Sequence, residues 1–315
     1  MYRPTLRPLH NPIRGQIRAF FAGFGFFANR LYSFAYVRFA KNRPGFEIIE
    51  FAPQSGLCNG LILITGASSG VGEALARLLS EEGFSLLLTG RDENRLKSVA
   101  KLCRAEWLPL DLAHSLAPLL SWIREKKPGL VINNAGFALY GPAIAHPLSS
   151  EMDILEVNAA AAIEISIEAA RTLQSNRMPG VILNVSSSAG ELPIPSMAVY
   201  AAAKACLTSF SKSFDSEMSP YGIRVLASIL GPVATPFAHR ASSGRYTQTP
   251  SWKVISPERA AQKIWEQILK RKAVSAIDFR TRAFLLAAKL LPRPLLEWIL
   301  QKNLARRYNC RSCQK

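Results

Sequence analysis

From residue 61 onward, short apolar runs alternate with longer amphipathic stretches. Short, largely apolar runs over 61–64, 85–89, 106–110, 130–132, 181–185 and 225–229 predict strands. Such runs lack in-and-out polar alternation, so they belong to strands buried on both faces, as in a parallel sheet. Between them, 73–82, 93–102, 116–125, 152–173 and 199–218 carry the apolar spacing of helices. This βαβα order predicts an α/β fold: a doubly wound parallel sheet, helices on both faces, ligands at the carboxyl ends of the strands. Ser256-Pro-Glu-Arg then opens a helix to about 270, with a cap, a first-turn proline and an early acid. Residues 274–279 read as a seventh strand. Residues 282–291 and 295–304 read as basic amphipathic helices separated by Pro292 and Pro294.

The pattern divides the 315 residues into a catalytic-sized unit, 60–279, with an extension at each end, 1–59 and 280–315. In the first extension, a Phe-rich apolar run over 19–28 is interrupted by Asn29 and Arg30 and resumes over 31–39. Crossing a bilayer takes about 20 uninterrupted apolar residues. One or two basic, aromatic amphipathic helices fit the run better. They could lie on a membrane interface, or pack on the domain or on a second subunit of a homo-oligomer.

Charge sharpens this division. The net charge is +17, yet residues 47–269 hold nineteen Lys/Arg against twenty acids. Residues 1–46 hold eight Lys/Arg and no acid, and 270–315 hold twelve against Asp278 and Glu297. A near-neutral middle argues against a nucleic-acid-binding core, and basic ends point to an anionic surface. Five scattered cysteines suggest a reducing, cytoplasmic compartment with peripheral membrane contact through the ends. Cys310 and Cys313 have no second pair and no nearby His, so they read as free thiols and no metal site is expected.

The candidate chemistry begins after the first strand, at Gly66, Gly70 and Gly72. A strand, a glycine turn and a helix start form an anion site: the backbone bends close to a diphosphate and free N–H groups meet its charge. The spacing is G-x-x-x-G-x-G, not G-x-G-x-x-G. At the end of the second strand stand Gly90 and Arg91. Gly90 offers no carboxylate to a ribose 2′-OH, whereas Arg91 can meet a 2′-phosphate, which favours NADP(H) over NAD(H). Neighbouring Asp92 leaves a solvated arginine as the alternative. Asp111 could accept from an adenine amino group, and Asn133-Asn134-Ala135-Gly136 allows close approach of a cofactor and can tie adjacent loops. Tyr200 and Lys204 share a helix face, four residues apart. An ammonium beside a phenol should lower its pKa and yield a general acid for a carbonyl oxygen, with Ser187 able to bind the same oxygen.

Together these pieces resemble the short-chain dehydrogenase/reductase family. The matching segments are Thr65-Gly-Ala-Ser-Ser-Gly-Val-Gly72, Asp111, Asn133-Asn-Ala-Gly136, Asn158, Ser186-Ser-Ser-Ala-Gly190, Tyr200-Ala-Ala-Ala-Lys204 and Gly222-Ile-Arg-Val225, over roughly 60–240. The resemblance implies a Rossmann fold and hydride transfer between a nicotinamide and a carbonyl or secondary alcohol of a small-molecule, lipid-like substrate. It implies Tyr200 as acid/base, Lys204 as ribose ligand and tuner, Ser187 as substrate orienter and Asn158 as holder of a relay water. It also implies cofactor contacts from Gly66, Ser68, Ser69, Gly70, Val71, Gly72, Arg91, Asp111, Asn134, Ala135, Gly136, Val233 and Thr235. The chain departs from the family at Leu230-Gly231-Pro232, where the usual Pro-Gly order is changed. The loop after it, about 236–252, reads as a mobile lid. The basic tail is similar to that of family members acting on lipid-like ketones. Two other readings are a nucleotide-binding regulatory protein on the same fold and a membrane-surface adaptor.

Overall fold

The computed structural model describes residues 60–244 and 254–308. Seven parallel strands form one sheet in the order β3-β2-β1-β4-β5-β6-β7. They are β1 Leu61–Thr65, β2 Ser85–Gly90, β3 Glu106–Pro109, β4 Leu130–Asn133, β5 Gly180–Ser187, β6 Ile223–Leu230 and β7 Val274–Ala276. The order turns back between β1 and β4, which makes the switch point where such sheets open a ligand crevice. Ten α-helices among the described residues accompany the strands: α1 Gly70–Glu81, α2 Glu93–Cys103, α3 Ala117–Lys126, α4 Leu148–Leu155, α5 Ala161–Ser175, α6 Ala198–Met218, α7 Phe237–Ala241, α8 Pro257–Leu269, α9 Phe279–Leu290 and α10 Arg293–Tyr308. The fold is the doubly wound, Rossmann-like α/β architecture.

The continuous apolar strands follow from burial on two sides. Alternate residues point to opposite faces. Ile62, Ile64, Leu130, Ile132 and Leu183 meet α1 and α8 through Leu75, Leu79, Ala260 and Ile264. Leu63, Leu87, Val131 and Ile182 meet the opposite layer through Leu119, Ile123, Ile165 and Phe214.

Two elements differ from the sequence expectation. The stretch 152–173 is not one helix: a turn of π-helix, Glu156–Ala160, separates α4 from α5. Asn158 sits in that turn and its side chain bonds to Ile154 O, 2.8 Å away, so the local ladder widens. The seventh strand ends at Ala276, because Asp278 caps α9 by accepting from Thr281 N at 2.9 Å and Phe279 already belongs to that helix. Gly231 lies against this cap. A Cβ there would collide with Thr281 Oγ1, so the altered order Leu230-Gly231-Pro232 matches the seating of α9 on this loop. Helices α9 and α10 bury Leu285, Ala288 and Leu296 but leave Phe279, Phe284, Leu286, Leu290, Leu295 and Trp298 exposed. Their apolar residues therefore occupy both sides rather than a single stripe. The N-terminal run expected to be amphipathic lies outside the described residues.

Candidate active site

The glycine turn after β1 is built for close approach. Gly66 and Gly70 adopt φ of +65° and +62°, in the left-handed region that a side chain would strain. A Cβ at Gly66 would stand 2.7 Å from Ala135 Cα, and one at Gly70 would stand 3.1 Å from Thr235 Cγ2. Gly72 faces Gly66 O and the Asn134 amide with no room for a side chain. Thr65 and Asn134 lock this turn to the end of β4. Thr65 Oγ1 accepts from Asn134 N and Ala135 N at 3.0 Å each, and Asn134 Nδ2 donates to Thr65 O at 3.0 Å and Gly66 O at 3.2 Å.

Helix α1 starts at Gly70, and its N-cap residue Ser69 makes no side-chain capping bond. By contrast, Asp92, Ser256 and Asp278 cap α2, α8 and α9. A bare helix start beside three close-packed glycines fits a dinucleotide diphosphate. Val71, buried in the first turn, anchors that start in the core. At the end of β2, Gly90 abuts Ser68, and a Cβ on Gly90 would stand 3.2 Å from Ser68 Oγ. Arg91 is largely exposed and lies 3.8 Å from Asp111. Asp92 is turned instead into α2, accepting from Arg95 N at 3.1 Å.

The second cluster lies at the carboxyl ends of β4 and β5. Tyr200 and Lys204 are buried on α6, with the Lys204 ammonium 5.8 Å from the phenol ring centroid. The ammonium donates to Val185 O at 2.9 Å. Ser187 lies near enough to the Tyr200 phenol to favour its ionised form, and its hydroxyl accepts from Ala189 N at 3.1 Å. Ser186 points the other way along the strand, into the core, where its hydroxyl meets Lys204 O and Thr208 Oγ1. Asn158 Nδ2 donates to Phe137 O and Ile154 O at 2.8 Å each. Its Oδ1 is buried without a hydrogen-bond partner among the described residues. That oxygen and Lys204 Nζ both front the bare Cα of Gly136, at 2.5 and 3.4 Å from where a Cβ would stand. Asn133, which the sequence leaves grouped with Asn134, instead joins a buried network with Asn184 at 2.8 Å and Ser166 at 3.0 Å.

The electrostatics correct one expectation. Burial pushes the Tyr200 phenol up to about 12, with Ser187 pulling down and Tyr140 pushing up. Lys204 does not drive it down, because burial lowers Lys204 itself to about 8 and its ammonium is turned to the Val185 carbonyl. A phenol of this kind is fully protonated at neutral pH and can act as a proton donor.

The loop carrying Val233 and Thr235 is pinned by a bridge between Val233 and Ile255. The start of the expected lid is docked rather than open. Phe237 lies 5.6 Å from Tyr200, ring to ring, and Ala241 O accepts from Tyr140 N at 2.9 Å. Residues 245–253 lie outside the described residues. Arg240, which no local motif signals, reaches from α7 to the Ser69 hydroxyl at 2.9 Å. Among the described residues, no group of three His, Cys, Asp or Glu could hold a metal ion.

The sequence profile of the family described as short chain dehydrogenase matches residues 60–245. The chain is similar to the NADPH-dependent 1-acyldihydroxyacetone phosphate reductase of Schizosaccharomyces pombe, 32% identical over 180 residues, covering 55% of this chain and 60% of that protein. It is also similar to the inactive hydroxysteroid dehydrogenase-like protein 1 of Homo sapiens, 28% identical over 228 residues, covering 67% of this chain and 68% of that protein. Among solved structures, a short-chain dehydrogenase from Sphingobium yanoikuyae in complex with NADPH matches with a TM-score of 0.66 at 26% identity, over 81% of this chain and 98% of that one. The profile spans more than half of the sequence and covers both clusters, the glycine turn and the Ser187–Tyr200 pair; the chain belongs to the short-chain dehydrogenase family and is an oxidoreductase acting on CH–OH and C=O groups.

Proposed function

We propose that the chain is an NADP(H)-dependent carbonyl reductase, or the reverse alcohol dehydrogenase, for a bulky apolar substrate. The observation that carries this reading is the Ser187–Tyr200 contact, set in an apolar wall at the carboxyl edge of the sheet. When bound, the nicotinamide supplies a hydride to the carbonyl carbon. Tyr200 gives its phenolic proton to the carbonyl oxygen, completing the alcohol. The Ser187 hydroxyl donates to the same oxygen and holds it in line. Lys204, 5.8 Å from the Tyr200 ring centroid, would hold the ribose hydroxyls. Its ammonium and Asn158 Oδ1 face one spot beside Gly136, where a water held by both returns a proton to Tyr200. Gly66, Gly70, Val71 and Thr235 would hold the diphosphate, Asp111 the adenine, and Val233 the carboxamide.

NADP(H) is favoured because Gly90 offers no carboxylate, Asp92 is committed to capping α2, and Arg91 faces solvent beside the glycine turn. Two similar proteins support it: one is named as NADPH-dependent and the other was solved with NADPH. The substrate class is read from the walls around Tyr200, where Leu139, Ala189, Met197 and Phe237 offer apolar surface and Tyr140 adds a ring with one hydroxyl. A ketone panel of increasing alkyl length, run with NADPH and NADH, tests the reading. We expect kcat/KM to rise with alkyl length and NADPH to be preferred by at least about tenfold. Preference for short polar ketones, or equal use of both cofactors, would overturn it.

A further inference from the structure

Arg240 stands apart from the residues that the glycine turn and the catalytic pair account for. It lies on α7, yet it donates to Ser69, 171 positions earlier in the chain, at 2.9 Å. Ser69 is the N-cap residue of α1 and its hydroxyl makes no capping bond, so it is free to receive Arg240. Two more guanidiniums stand close by. After loss of solvation, the charges of Arg95 and Arg91 are what lower the Arg240 pKa, and only Asp92 opposes them. That carboxylate is already engaged, capping α2 and pairing with Arg95 at 3.3 Å. Asp111 meets Arg91 at 3.8 Å, in a pair open to solvent. The guanidiniums of Arg91 and Arg95 repel that of Arg240, which is the one seated on the Ser69 hydroxyl. An anion with several oxygens relieves that repulsion, and guanidinium forks match phosphate best.

Resting on the NADP(H) reading above, we propose that Arg240 grips the 2′-phosphate of the cofactor from the lid side, completing a clamp with Arg91 and Ser69. The same short helix carries Phe237 against Tyr200, and Ala241 O holds Tyr140 N. Its neighbour Thr235 rests on Gly70. A phosphate held by Arg240 therefore fixes the segment that roofs the catalytic tyrosine. Cofactor choice is thereby tied to the segment already docked over Tyr200, with the cation supplied across the cleft rather than from the strand end alone.

The test is calorimetric binding of 2′,5′-ADP, 5′-ADP, NADPH and NADH to the full chain and to Arg240→Ala, Arg240→Gln and Arg91→Ala. We expect both Arg240 variants to weaken 2′,5′-ADP and NADPH by about 10- to 100-fold and to leave 5′-ADP and NADH within about threefold. Unchanged melting temperatures would exclude loss of folding as the cause. If the wild type binds NADPH no tighter than NADH, the NADP(H) reading itself fails and this inference falls with it. If the wild type prefers NADPH, and Arg91→Ala removes the preference while the Arg240 variants keep it, Arg240 is not part of the clamp. Equal weakening of all four ligands by the Arg240 variants would place Arg240 on the diphosphate instead, and would equally overturn the proposal.

Discussion

Tyr200 and Lys204 share a buried face and respond to burial in opposite directions. The phenol is held up to about 12 and the ammonium down to about 8. Burial disfavours the charged form of each group, so both follow from one cause. The sign of a pH effect follows. Below about 8 Lys204 is an ammonium, able to hold a ribose and to supply a proton; above it, that charge is lost while Tyr200 remains protonated. Reduction, measured as kcat/KM for NADPH, should therefore fall as pH rises through about 8. Lys204→Met should be slow throughout and lack this falling limb. Reduction that rises through the same window would contradict the assignment. At this scale the sequence was partly legible. The four-residue spacing puts Tyr200 and Lys204 on one face, but spacing says nothing about desolvation, which reverses the direction expected for Tyr200. Family spacing, thirteen residues before Tyr200, singles out Ser187 from Ser186, and the strand pleat gives the physical reason, one toward Tyr200 and one toward Thr208. Arg240 was invisible, because its partner Ser69 comes from the other end of the fold.

At the scale of elements, the strands were legible because burial on both faces leaves a plain apolar run. The π turn at 156–160 was not, since one widened turn barely alters the apolar period over 152–173. The tail helices were half legible. Their basic, Leu- and Phe-rich composition was plain, but which residues face inward depends on docking against β7 and the Gly231 loop. With Leu285, Ala288 and Leu296 turned inward, Phe284, Leu286, Leu290, Leu295 and Trp298 remain exposed beside Arg280, Arg282 and Lys302. No helix among the described residues is long and apolar enough to cross a membrane. An exposed apolar surface with basic neighbours suits an anionic bilayer, where each Lys or Arg contributes about 1 kcal/mol. We predict that the full chain floats with anionic vesicles and is released by high salt. Leu290→Glu with Trp298→Glu should abolish flotation without loss of turnover on a water-soluble ketone. Flotation unaltered by these changes would assign the surface another partner.

At the scale of the whole molecule, the parallel sheet brings distant segments to one edge. The glycine turn, the end of β2, the end of β4, Ser187 and the Val233–Thr235 loop are spread over about 170 residues, yet all stand at the carboxyl ends of strands, where α6 brings Tyr200. That convergence was predictable from the βαβα pattern, because right-handed crossovers leave the crevice there. The central claim is that this edge moves a hydride with Tyr200 as the proton donor. It is tested most directly by single-turnover oxidation of bound NADPH by an apolar ketone, in the wild type and in Tyr200→Phe, with NADPH affinity measured in both. We predict that Tyr200→Phe binds NADPH within about threefold of wild type and oxidises it at least about 10³-fold more slowly, because the ring stays and only the donor is lost. Oxidation by Tyr200→Phe within a few-fold of the wild-type rate would contradict the account.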